Sequence, residues 1–299
     1  MKRLFRLLLA VLIIIGAWFF LIKENQQEAT YKSSLPAGVL YDHLLQWAIV
    51  LPQGVDSVRT VEKTPYREIR QVIYAGAEPM DVSWEVESLT DSTSNVHGYF
   101  NKAGSDFKQR LKILFGQSDI PDQSRAVTQH VANTLQTKNQ GFAVGSIGDT
   151  LVPEKFVAYI SVQSTVRNKA RDMIYSIGDV MSYIKKNDIP LDGDPFLEVT
   201  SWDRSSDRIS FDFNFPIAAV DSLPESPLVK FKTVPVLKAM HVPFYGNYRI
   251  SDISWYQLLA HAQLKEIEVQ ELPVEIYRND PHMGGNELEW RADVMLPYR

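Results

Sequence analysis

The second half of this 299-residue chain repeats itself, and a repeat of this kind leaves few folds open. The first copy reads as a strand "FVAYISVQ", a helix "DMIYSIGDVMSYIKKNDI", then two strands, "PFLEVTSWD" and "RISFDFNFP". The second has "PVLKAMHVP", a helix "SDISWYQLLAHAQLKEI", then "PVEIY" and "ELEWRADVMLP". Ile189 and Ile267, and Pro195 and Pro273, lie 78 positions apart. With small loop shifts, Glu198 corresponds to Glu275, Asp203 to Asp280, Asp212 to Asp293 and Pro216 to Pro297. Strand, helix, strand, strand, twice over, predicts two similar α+β halves related by a pseudo-twofold axis. Binding sites favour such junctions.

Side chains alternate across a strand, so the repeat also predicts faces. In the last strand Leu288, Trp290, Ala292, Val294 and Leu296 share a face suited to the helices. Glu289, Arg291, Asp293 and Met295 share the other. In "PVEIY", Val274 and Ile276 are expected with the helices, and Glu275 and Tyr277 opposite them. The first copy sets Phe211, Phe213 and Phe215 against Asp212 and Asn214. If the two sheets meet along their acidic sides, Glu198, Asp212, Glu275, Tyr277 and Asp293 surround one cleft. The alternative is a solvated face carrying ordinary surface acids. "HVPFYGNYRISDISWYQLL" adds five aromatic residues around a Gly-Asn turn. Tyr248 and Trp255 are expected as pocket wall, Phe244 and Tyr256 as core.

These residues resemble the effector-binding domain of AraC-type transcription activators, also called the DNA-gyrase-inhibitor-like domain, over residues 153–299. The resemblance rests on Gly246-Asn247-Tyr248, on Trp255 seven residues later, and on Glu275-Ile276-Tyr277. Asn279-Asp280-Pro281 and Asp293 four positions before Pro297 complete it. Asn247 stands where the family has proline, and Asp293 where it has glutamate. The resemblance implies a small-molecule binder for cationic, aromatic ligands, held by stacking and cation–π contacts. A buried carboxylate without an internal partner would favour such a cation. The ligand-binding residues so implied are Tyr248, Trp255, Glu275, Tyr277, Asp293, Glu198 and Asp212. Some relatives are implied to hydrolyse strained molecules with the glutamate at the Asp293 position. The shorter aspartate sets its carboxylate back, which argues against general acid–base geometry here. A hydrolase using Asp293 or Glu275, and an interaction scaffold with a closed cleft, remain as alternatives.

Upstream, "MKRLFRLLLAVLIIIGAWFFLIKENQQE" places Lys2, Arg3 and Arg6 before an uncharged run, with Trp18, Phe19 and Phe20 near its end. Residues 1–23 are therefore expected as a transmembrane anchor, with 4–22 in the bilayer. The flanking cations put the N-terminus in the cytoplasm and the later domains outside it; a cleaved signal peptide is the alternative. Residues 24–34 read as a tether. Residues 35–145 read as a helix, several antiparallel strands and a long closing helix. This order resembles the START-like polyketide-cyclase superfamily, which implies a helix-grip α+β fold. The glycine-rich "GFAVGSIGDTLVPEK" holds the domain boundary.

Composition narrows the chemistry. A 45% hydrophobic, 22% charged chain is globular. A formal charge of -5 and a pI near 5.7 give no basic face for nucleic acid. The absence of cysteine excludes disulfides, thiolate metal sites and a cysteine nucleophile. The histidines His43, His97, His130, His241, His261 and His282 lack metal-ligand spacing, and no phosphate-binding loop, dinucleotide fingerprint or GxSxG is present. Neither a metal nor a cofactor is expected.

Overall fold

The computed structural model describes residues 2–76, 78–102, 106–138, 141–218 and 223–299. The chain divides into two compact units, residues 1–89 with 93–137, and residues 90–92 with 138–299. It is a mixed α+β protein with two antiparallel sheets.

The first unit begins with helix α1 (Lys2–Ala17), continued by a π-helical turn over Trp18–Ile22. Among the described residues no helix is long and apolar enough to cross a membrane. The expected transmembrane helix is thus not supported. Its aromatic end contacts the first unit. In helix α3 (Asp106–Leu114), the buried Arg110 donates to the carbonyls of Phe19 and Lys23 and lies 5.8 Å from the Phe19 ring.

The residues expected as a tether form strand β1 (Gln27–Ser33), which pairs with β5 (Ser94–Lys102) over seven residue pairs. Strands β2 (Ser57–Thr64), β3 (Glu68–Tyr74) and β4 (Met80–Ser88) complete a sheet in the order β1-β5-β4-β3-β2. Alternation in "MDVSWEV" buries Met80, Val82, Trp84 and Val86. Helix α2 (Ala37–Gln46) and the long α4 (Ile120–Lys138) bury Leu40, Leu44, Val127, Val131 and Leu135. His43 Nε2 meets the Val131 carbonyl at 3.0 Å, tying the two helices.

The second unit is one nine-stranded sheet. Its repeat units are β8 (Lys155–Thr165), α5 (Lys169–Lys186), β9 (Phe196–Asp203) and β10 (Arg208–Pro216), then β12 (Leu237–Gly246), α6 (Ile253–Lys265), β13 (Val274–Tyr277) and β14 (Arg291–Pro297). The strands run β8-β10-β9-β13-β14-β12, so β8, β10 and β9 mirror β12, β14 and β13. The pseudo-twofold axis passes between β9 and β13. The halves therefore do not face each other. They join edge to edge through Val274 with Glu198, Glu275 with Leu197, and Ile276 with Phe196. Strand β11 (Lys230–Val234) extends the sheet beside β8, while β6 (Phe142–Val144) and β7 (Gly148–Val152) pair with β12. The residues expected to link the domains are thus edge strands of this sheet. Glu287–Glu289, expected within the last strand, form a 3-10 turn before it.

Both helices cover one face. Met173, Val180 and Ile184 of α5, with Trp255, Leu258 and Ala262 of α6, pack on Phe211, Phe213, Phe215, Ala292, Val294 and Leu296. Each Val, Leu, Ile, Phe or Met among them contributes roughly 1.5–3 kcal/mol on full burial. The opposite face has its own smaller apolar cluster of Val157, Phe196, Ala239, Val274, Ile276 and Met295.

Candidate functional site

The register divides the expected site residues between two faces. Ile276 lies opposite Asp293 and Phe196, and all three belong to the open face. Glu275 and Tyr277 consequently point at the helices, opposite to the expectation from alternation. All four residues of β13 are buried, so its polar residues do not mark a solvated side.

Beneath the helices lies a closed polar cluster. The Glu275 carboxylate is fully buried and accepts hydrogen bonds from Tyr277 Oη at 2.6 Å and Ser251 Oγ at 2.7 Å. Its other oxygen faces Lys169 Nζ at 3.9 Å. Lys169, also fully buried, donates to the Tyr248 carbonyl at 3.0 Å and to Asp252 at 3.2 Å, and its ammonium sits 5.5 Å from the Trp255 ring. Burial and the adjacent Glu275 push the Tyr277 hydroxyl well above its ordinary pKa. Burial carries Tyr248 up to about 12, against the opposing pull of the Asn279 amide. Tyr248 Oη donates to the Arg291 carbonyl at 2.9 Å, and its ring lies 4.8 Å from that of Tyr277. Tyr248 and Trp255 are core residues, not the wall of an open pocket.

The open face carries a groove of about 530 Å³ directly over the seam between the halves. Phe196, Val274, Ile276 and Met295 form its floor, with Val152 and Leu237 rising beside them. Lys155, Asp194, Glu198 and Arg278 supply charge around it. Two ionic clusters stand on this face. In one, Lys232 of β11 donates to Glu198 at 2.6 Å and to Asp212 at 2.5 Å, and Ser161 donates to Asp212 at 2.7 Å. Burial alone would lower the Lys232 pKa, but the hydrogen bonds to Asp212 and Glu198 outweigh it and the net shift is upward. In the other, Asp293 receives Arg278 Nε at 2.7 Å and Arg291 Nε at 2.8 Å, with His241 Nε2 at 3.2 Å. Burial would raise its carboxyl, but these partners hold it well below the usual carboxylate range.

The expectation of one acidic cleft waiting for a cation is corrected by these contacts. Every carboxylate in the expected set already has an internal cation: Lys169 for Glu275, Lys232 for Glu198 and Asp212, and Arg278 with Arg291 for Asp293. Asp293 and Glu275 project from opposite faces, so they do not form the paired carboxylates that hydrolysis would use. Lys169 and Lys232 were not among the sequence candidates. Lys169 precedes the apolar stripe of its helix, and Lys232 alternates like any edge-strand lysine, so neither gave a signal. Among the described residues no group of three or more His, Asp or Glu could hold a metal ion.

No protein-family profile matches the chain, and no curated protein matches it. Among solved structures the chain is similar to the C-terminal domain of EcmrR, at 14% identity and a TM-score of 0.45, over 52% of this chain and 97% of that one. It is similar to SAV2435 bound to tetraphenylphosphonium, at 7% identity and a TM-score of 0.37, over 52% of this chain and 94% of that one. A hydrolase from Listeria innocua is similar at 14% identity and a TM-score of 0.34, over 52% of this chain and 92% of that one.

Proposed function

We propose that the second unit is a small-molecule-binding module that holds an amphipathic, flat ligand in the groove over the β9–β13 seam. The groove itself carries this reading. Its volume falls within the range of ligand sites, which is about 300–1,000 Å³, and its apolar floor is ringed by a few charged groups. A flat apolar body would cover Phe196, Ile276 and Met295, and its polar end would meet Glu198. A groove centred on a pseudo-twofold axis draws walls from both halves, so occupancy is linked to how the halves sit together.

The test is a thermal-shift screen of the full chain with polycyclic aromatics bearing neutral, anionic and cationic ends. A ligand at 100 times its Kd stabilises the fold by about 2.7 kcal/mol. Leu237→Arg places a charged side chain beside the floor and abolishes the shift while leaving the circular dichroism unchanged. No shift with any compound, or an undiminished shift in Leu237→Arg, rejects the groove as the site.

A further inference from the structure

Lys232 occupies a position that on geometric grounds belongs to a ligand. Its ammonium lies 4.7 Å from the Tyr159 ring and bridges two carboxylates. Aromatic face and paired anions together are the chemistry by which proteins recognise ammonium groups. One ammonium shared by two carboxylates leaves the cluster one negative charge in excess. The Asp212 carboxylate has a second partner besides Lys232, the Ser161 hydroxyl, which donates to its other oxygen. Two positions along the same strand and on the same face, Asn214 is fully buried and its Oδ1 has no hydrogen-bond partner. That is a further acceptor without a donor, an expensive arrangement in a protein interior.

Lys232 itself sits on β11, a five-residue edge strand that among the described residues is bonded to the sheet only through β8. An edge strand is the part of a sheet that leaves it most easily. Glu198 belongs both to this cluster and to the rim of the groove.

We propose that Tyr159, Glu198 and Asp212 form an ammonium-binding cage, and that Lys232 is its tethered occupant. The second part of the inference rests on the groove reading: with Lys232 in place the groove selects neutral ligand ends over cationic ones. Lys232 is then the specificity-determining residue, and its removal turns the groove into a cation binder.

The experiment uses the full chain and Lys232→Ala, with propylammonium chloride as the probe for the vacated cage. Propanol and sodium chloride at equal concentration serve as controls. Propylammonium is expected to restore at least half of the melting temperature lost in Lys232→Ala, to leave the native chain at its sodium chloride value, and to fail when Asp212→Asn is added. Equal responses to propylammonium and sodium chloride overturn the cage. A second arm measures affinity for naphthylmethyl-trimethylammonium and its neutral carbon isostere, neopentylnaphthalene. The native chain should favour the neutral compound, and Lys232→Ala should shift the ratio toward the cation at least tenfold. An unchanged ratio overturns the specificity role. Rescue without binding of either aromatic upholds the cage and rejects the groove; aromatic binding without rescue does the reverse. Should Lys232→Ala not fold unaided, refolding it in propylammonium chloride against sodium chloride carries the first arm: folding only with the ammonium upholds the cage, and failure in both overturns it.

Discussion

Gly246 ends β12 with φ of +150°, in the region that favours glycine. A Cβ there would come within 2.9 Å of Phe142 Cβ and 3.0 Å of the Gly141 carbonyl. Space and backbone thus both refuse a side chain. Gly246→Ala is expected to cost about 2 kcal/mol or more, summing strain and overpacking, and chemical denaturation measures it. The Lys169–Glu275 pair makes a second residue-scale prediction. Lys169→Met strands a fully buried carboxylate, and removing one partner of such a pair costs roughly 3–5 kcal/mol. Adding Glu275→Gln removes the uncompensated charge, so the double variant is expected to recover a large part of the loss. If the two losses simply add, the pair is not coupled.

At the scale of elements, β1 answers the largest misreading in the first unit. Its seven residues alternate in exposure and cover the edge of β5. A chain beginning at Leu35 would lack that strand and leave β5 with an unpaired edge, a template for association. Such a chain is expected to melt lower and to aggregate on size exclusion; a monodisperse product with native stability would mean that β1 is dispensable. The polar sequence "QEATYKS" hid this strand, because an edge needs only every second residue to touch the core. The repeat was legible for the opposite reason. Its strands carry strong alternation or paired prolines, so the order strand, helix, strand, strand and the twofold relation followed directly. The faces of β10 and β14 also followed. That of β13 did not: a central strand with both sides covered has no polar face, and Glu275 and Tyr277 lie among helix-side apolar residues. Nor could the sequence tell edge-to-edge joining from face-to-face packing, since both bury the same stripes. The misplaced cleft came from that ambiguity. Of the cations that neutralise its acids, Lys169 sits far from Glu275 in sequence, whereas Arg291 shares the strand of Asp293 and alternates onto its face.

For the whole molecule, the shifted groups bracket the pH range of stability. Asp293 is held low by its Arg and His partners, and Asp203 lies at about 2 through hydrogen bonds from Ser206 and Ser205. Depressed carboxyls contribute stability above their unfolded pKa of about 3.9 and lose it as pH falls toward the folded value. Tyr248, Tyr277 and Lys232 are raised. Their contribution is complete below the unfolded values, about 10, and is lost as pH rises through the folded ones. Melting temperature is therefore expected to be flat across the neutral range and to fall below about pH 4 and above about pH 10. Asp293→Asn should lower the plateau and flatten the acid limb. An acid limb as steep in the variant as in the native chain would remove Asp293 from this account.

The seam between the halves is only three residue pairs long, against nine between β10 and β8. The nine strands thus fall into two leaves joined along a narrow spine. On the reverse of the groove, Lys169 rides on α5 yet grips the turn before α6 and Glu275 at the spine, so one side chain ties both leaves together like a clasp.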